Sequence, residues 1–169
     1  MTSAHSQGPS FPLGSGPIED GATATCYCGS IQLAFPVEGP GLVDTFVCNC
    51  ADCRKVTASM FASNFIVEDR ALRHLRGQEK LSKFTKTGTI ATGNAMTNYF
   101  CSNCGTLMYR VSTGYPGKSI LRIGTVDDFN LHETKLKPRI ETFIKDRVSW
   151  LSGVEGAEKH QGIYYTRTG

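Results

Sequence analysis

Seven cysteines are the residues whose type and spacing can do chemistry here: Cys26, Cys28, Cys48, Cys50, Cys53, Cys101 and Cys104. They form three tight groups, C-x-C, C-x-C-x-x-C and C-x-x-C, and none stands alone. A disulfide gains most by closing a long loop, so a disulfide framework spreads its cysteines along the chain. Close neighbours instead point two sulfurs at one centre, which suits chelation. An odd number also cannot pair completely within one chain. Metal binding is therefore the expected chemistry, with zinc the first choice: it accepts sulfur ligands, prefers tetrahedral geometry and has no redox chemistry. An iron–sulfur cluster, which wants four cysteines each, and copper(I) are the other candidates.

The groups also suggest a partition. CYCG (Cys26 to Gly29) and CSNCG (Cys101 to Gly105) each end in glycine, which permits the tight turn that aims backbone amides at sulfurs. Together they offer four sulfurs and a closed, structural site. CNCADCR (Cys48 to Arg54) has no such glycine and offers three sulfurs, leaving one coordination position open. Four closed and three open is the distinction between structural and catalytic zinc, and it uses every cysteine. The expected cofactor is two zinc ions per chain. Three thiolates bring Zn²⁺ to net −1, a soft centre for which a substrate thiol suits as fourth ligand.

The elements that must position these groups read as mostly β. Strands are expected at Ser30–Phe35, Val43–Val47, Ser59–Val67, Leu72–Leu75, Leu81–Phe84, Asn98–Phe100, Thr106–Val111, Ser119–Ile123 and Ile140–Ile144, all rich in Val, Ile, Phe, Tyr and Thr. No window holds a 3.6-residue apolar period for three turns; short helical turns are expected after Cys50 and near Asp127–Asn130. The fold class is mainly β, antiparallel, pinned by zinc. With 169 residues, one domain is expected at 21–151. Residues 1–20, half Gly, Pro and Ser and uncharged before Glu19, read as a flexible leader, and 152–169 as a tail of uncertain order.

Charge and patterning exclude other classes. A net charge of +3 without a concentrated basic–aromatic face argues against nucleic acid. No apolar run approaches membrane-spanning length, and the start lacks a basic n-region and apolar h-region, so a cytoplasmic chain with reduced thiols is expected.

The stretches CYCGSIQLAF, CNCADCRKVTASMFA, FCSNCGTLMYR, GTVDD and KPRIETFIKDRVSWL, spanning about residues 22–151, resemble the glutathione-dependent formaldehyde-activating enzyme family, with its Mss4-like fold. The resemblance implies structural zinc on Cys26, Cys28, Cys101 and Cys104, and catalytic zinc on Cys48, Cys50 and Cys53. It implies joining of glutathione and formaldehyde into S-(hydroxymethyl)glutathione, a carbon–sulfur lyase reaction run in reverse. Two departures stand out: Asn49 where many members carry His in C-H-C, and Glu141-Thr142 where many carry His-Ile. The alternatives are a lyase or isomerase acting on another small metabolite, and a non-catalytic zinc scaffold binding protein partners. A homodimer is compatible with either class.

An anionic tripeptide needs cations, and Arg54, directly after the open group, is the substrate-binding candidate. Lys55, Arg139, Lys145 and Arg147 are weaker ones. Proton-transfer candidates are Asp52, Asp127, Asp128, His132 and Glu141. Glu141 is carried as catalytic against the reading of a surface glutamate on a strand. Asp52 could instead orient backbone around the metal, and Asp127-Asp128 could form a turn or cap. Trp150 is expected in the core and His74 on a solvated edge; His5 and His160 fall in the tails.

Overall fold

The computed structural model describes residues 21–164, so the expected leader over 1–20 lies outside the described residues, as do 165–169. In chain order the elements are β1 (Gly21–Thr25), β2 (Gln32–Pro36), β3 (Leu42–Cys48), α1 (Ala51–Thr57), β4 (Ala62–Glu68) and β5 (Arg73–Arg76). Then follow β6 (Leu81–Lys86), β7 (Met96–Cys101), β8 (Leu107–Ser112), β9 (Lys118–Arg122), α2 (Asn130–Glu133), β10 (Ile140–Thr142) and β11 (Glu158–Lys159). Each expected strand is present within a few residues, and both helical turns fall where anticipated. The mainly β reading holds. Among the described residues no helix is long and apolar enough to cross a membrane.

Two sheets form. One has three strands in the order β1-β2-β5, the other eight in the order β11-β10-β3-β4-β9-β8-β7-β6. Two pairings depart from the antiparallel expectation: β10 runs parallel to both β3 and β11. No hairpin joins these strands, so connection length sets no direction, and a long crossover permits the parallel pairing. β1 escapes a sequence reading because GATAT is short and small-sided, while two-residue β11 exists only through its partner.

Strand alternation gives the large sheet two different faces. One carries Phe65 and Val67 of β4, Leu121 of β9 and Tyr109 of β8, and packs with Leu33 and Phe35 of β2 into the main core. Phe35 and Phe65 meet there with centroids 4.6 Å apart, and Tyr109 stacks on Tyr99 at the same distance. The other face is unlike a core. Cross-strand register lays Phe46, Asn64 and Arg122 in one row, and Ile66, Ile120, Arg110, Asn98 and Phe84 in the next. Cys48 ends β3 on this polar-studded face, beside Ala62 and Thr142.

Candidate metal centres

The first centre joins two knuckles. Cys26 N–H donates to Ile31 O at 3.1 Å and Cys101 N–H to Thr106 O at 2.9 Å, so both loops close over five residues. Gly29 (φ +78) and Gly105 (φ +75) turn the chain back in the left-handed region, as their placement suggested. The pairing brings Cys26, Cys28, Cys101 and Cys104 together across 73 residues of sequence between the second and third. Their sulfurs lie within 4.8 Å of one another, with Cys26–Cys28 at 3.6 Å and Cys28–Cys101 at 3.8 Å. Tetrahedral zinc with bonds of about 2.3 Å spaces its sulfurs about 3.8 Å apart, so this donor set fits the ion. Ile31 N–H already aims at Cys26 Sγ at 3.2 Å. Burial pushes the Cys26 thiol up to about 12, while the Ser30 and Asn103 side chains draw exposed Cys28 down to about 5.

The second centre lies where β3 hands over to α1. Cys48 ends the strand, and Cys50 caps the helix, its sulfur accepting from Cys53 N–H at 3.4 Å. Ala58, left-handed at φ 51, stops the helix after two turns. The three sulfurs converge within 4.8 Å, all buried, and could hold a metal ion. Their environment is cationic. Arg110 Nη1 reaches Cys53 Sγ at 3.4 Å, and Arg122, bonded to Asn64, stands behind it. Contacts from Cys48 and Cys50, aided by both arginines, overcome burial and hold Cys53 well below the usual thiol range, whereas its contacts with Cys50 and Cys53, and burial, raise Cys48. Burial works against both guanidiniums. The thiolates outweigh it at Arg110, which is raised; Arg122, with Arg110 also beside it, falls to about 9. Arg110 and Arg122 are only 8% and 6% exposed, and Arg110 Nε, Arg122 Nε and Nη2, and Asn98 Oδ1 have no hydrogen-bond partner among the described residues.

A cleft of about 290 Å³ opens over this centre, bordered by Cys48, Cys50, Cys53, Asp52, Lys55 and Asn98, with Arg110 in its lining. Asp52 binds Lys86 and accepts from Ile90 N–H at 2.7 Å, so it ties the 86–90 segment to the first turn of α1. Burial raises its carboxyl, but those two donors prevail and hold it low. Asp52 thus braces the 86–90 backbone against α1.

The remaining candidates sit elsewhere. Glu141 is a correction: it is neither a surface glutamate nor part of the cleft, being 0% exposed. Ile140 and Thr142 face a cavity, so period-two alternation turns Glu141 to the opposite side of β10. There it accepts from Asn49 Nδ2 at 3.1 Å and from Arg147 Nη1 at 2.9 and 3.0 Å. The two departures from the family pattern, Asn49 and Glu141, therefore touch each other. Gly153 (φ +82) passes so close that a Cβ would lie 2.1 Å from Arg147 Nη1. Arg54 points away from the cleft, donating to Asp146 O at 3.3 Å, and lines neither cavity. Arg139 pairs with Asp44. Asp127 accepts from Thr23, Thr25 and Gln32, and Asp128 from Asn130 N–H, which makes both structural. Half-buried His132 packs against Phe129. Trp150 is 70% exposed, not core, because it falls in a turn beyond the sheets. His74 is half-buried, edge-on to Tyr109.

Sequence reasoning missed Arg110 and Arg122. The one available signal was an arginine inside each of two apolar strands, LMYRVS and KSILR, where a charge needs a buried partner.

The family model described as "Glutathione-dependent formaldehyde-activating enzyme" matches residues 21–146. A solved structure of a Rhodobacter sphaeroides protein is similar at TM-score 0.51 and 19% identity, covering 66% of this chain and 93% of that one, and it supports the fold. No curated protein matches the sequence.

Proposed function

The chain belongs to the glutathione-dependent formaldehyde-activating enzyme family, and we propose that it is a zinc-dependent carbon–sulfur lyase-type enzyme, joining glutathione and formaldehyde into S-(hydroxymethyl)glutathione. The observation that carries this reading is the three-sulfur group, which lies open to a cleft and is backed by a buried arginine. A pure scaffold needs neither. In this reading zinc on Cys26, Cys28, Cys101 and Cys104 staples the sheets, and a second zinc is held by Cys48, Cys50 and Cys53. An ion held there would supply a soft Lewis acid that favours the ionised form of a substrate thiol.

The chain's own residues do the rest. The open cleft admits the thiol, and exposed Lys55 at its edge gives the tripeptide's carboxylates a point charge. The sulfur lone pair attacks the aldehyde carbon. A C–S bond forms, the carbonyl π pair moves to oxygen, and that oxygen takes up a proton equivalent to the one lost from the thiol. Arg110, which lines the cleft, would stabilise the charge growing on that oxygen. Asp52 is committed to Lys86 and Ile90, so the protons exchange with water in the open cleft. Residues 21–151 carry both centres and form the proposed catalytic domain.

Two-dimensional exchange NMR on glutathione and formaldehyde tests this. The protein loaded with two zinc ions should speed interconversion of free and adduct species, and Cys48→Ser should remove the effect. A loaded protein that leaves the uncatalysed exchange rate unchanged would overturn the reading. One zinc per chain, on the knuckles alone, would return it to a scaffold.

A further inference from the structure

A second cavity meets the cleft at Cys48, Ala91, Met96 and Arg110, the four residues that line both. It is small, about 60 Å³, and its surface is almost wholly apolar. Phe46, Ile66 and Ile120 come from the sheet face that bears the sulfur group; Ile140, Phe143 and Ile163 join them, and Asp44 and Lys118 also belong to the lining. The two spaces differ in size and access: the cleft is wide and open, with Asp52, Lys55 and Lys86 beside Val56 and Phe84 in its lining, whereas the cavity is small and its accessible surface almost wholly apolar.

This lining is built with some cost. Phe143 holds φ 55, a left-handed conformation that a bulky residue seldom adopts, and is nonetheless buried. Backbone strain of this kind collects where a site needs a particular side chain in a particular place. Phe143 N–H bonds to Gly162 O at 3.2 Å and Ile144 N–H to His160 O at 3.1 Å. Those two bonds dock the 160–162 segment and bring Ile163 to the cavity.

Formaldehyde has no carbon substituent, so an apolar cavity beside its carbonyl carbon has nothing to hold. We propose that this cavity takes the carbon chain of a larger aldehyde, so that short aliphatic aldehydes R–CHO are substrates alongside formaldehyde. The inference rests on the reaction proposed above and names its electrophile class. The chemistry balances in the same way: R′S–H adds across C=O to give R′S–CH(OH)–R, with no change of oxidation state overall. The sulfur enters from the open cleft, the oxygen faces Arg110, and R points into the cavity. At about 15 Å³ per water-sized space, the cavity admits roughly four heavy atoms, which sets R at two to four carbons.

Exchange NMR with glutathione and a series of aldehydes tests this, each rate divided by its uncatalysed value. Burial of each methylene should raise the enhancement roughly fourfold from acetaldehyde to butanal. Pivaldehyde, branched beside the carbonyl, should fall back. Ile163→Trp, in an irregular segment where a larger ring is tolerated, should lower the butanal-to-formaldehyde ratio about tenfold or more. Binding gives a readout apart from turnover: butyramide, an unreactive mimic, should shift the isoleucine methyl resonances of Ile66, Ile120 and Ile140 in the full chain. Enhancement confined to formaldehyde, or no methyl shift at saturating butyramide, overturns this inference and leaves the proposed reaction standing. Enhancement with no aldehyde overturns both.

Discussion

Replacing Arg110 with methionine keeps most of the side chain's length and removes its charge beside the three-sulfur group. The guanidinium lies 3.4 Å from Cys53 Sγ. At an effective dielectric of about 20, unit charges at that spacing attract by about 5 kcal/mol. Part of that offsets the cost of burying the guanidinium, 8% exposed, so the net loss is smaller. Outer residues that orient and neutralise metal ligands typically contribute 10–100-fold in metal affinity, or about 1.4–2.7 kcal/mol. Zinc at the three-sulfur centre of Arg110→Met should therefore bind about 10–100-fold more weakly, while the knuckle zinc, bound by other residues, keeps its affinity. Competition with a chromophoric chelator resolves the two ions, and Arg110→Lys should recover part of the loss by restoring charge without the planar fork. Equal affinity, within threefold, for wild type and Arg110→Met would refute the view that this arginine electrostatically supports the centre.

Other expectations concern stability and ionisation. Arg147→Met leaves the Glu141 carboxylate buried beside Asn49 without its cation; because Arg147 is itself 23% exposed, the loss should sit near the lower bound for broken buried pairs, about 3 kcal/mol by urea denaturation. Gly153→Ala should disturb the same pair, since its Cβ would strike Arg147, and should be destabilising beyond the usual 1 kcal/mol or so of a glycine replacement at positive φ. Ala58→Gly, at the left-handed end of α1, should stabilise by about 0.5–1 kcal/mol, read as a raised urea midpoint. In the metal-free chain Cys28 falls from 9.0 to about 5 on folding, so its ionisation favours the folded state: that contribution grows from pH 5 to pH 9 and vanishes below pH 5. Timed iodoacetamide labelling of that chain at pH 7 should accordingly mark Cys28 first and Cys48 last, Cys48 being buried and raised.

Asn49 and Glu141 show how a departure at the sequence level can be misplaced in function. The resemblance led to a different residue being expected at each, and one lies within a sulfur group, so both invited a substrate-side explanation. In the fold they form a 3.1 Å hydrogen bond with each other, 92 residues apart in sequence and turned from the cleft. That contact lies apart from the three sulfurs, so neither residue acts on the cleft directly.

Chelation is a local matter, and this is why the cysteine groups were legible in the amino acids alone. Spacing of two or three residues, with a glycine to turn the chain, already points sulfurs at a common centre, and short β-rich runs between turn residues announce the strands. Strand pairing then had to decide the rest. Arg110 reaches Cys53 across 57 residues, and Arg122 reaches Asn64 across 58, because β8, β9 and β4 lie side by side. Whether Glu141 faces cleft or interior depends on the parity of a three-residue strand, set by its register against β3. The apolar cavity needs Ile163, brought in by a tail whose order its Gly-rich, polar composition leaves open. Burial, charge compensation and cavity shape are properties of neighbours across strands, and only tertiary packing assigns those neighbours.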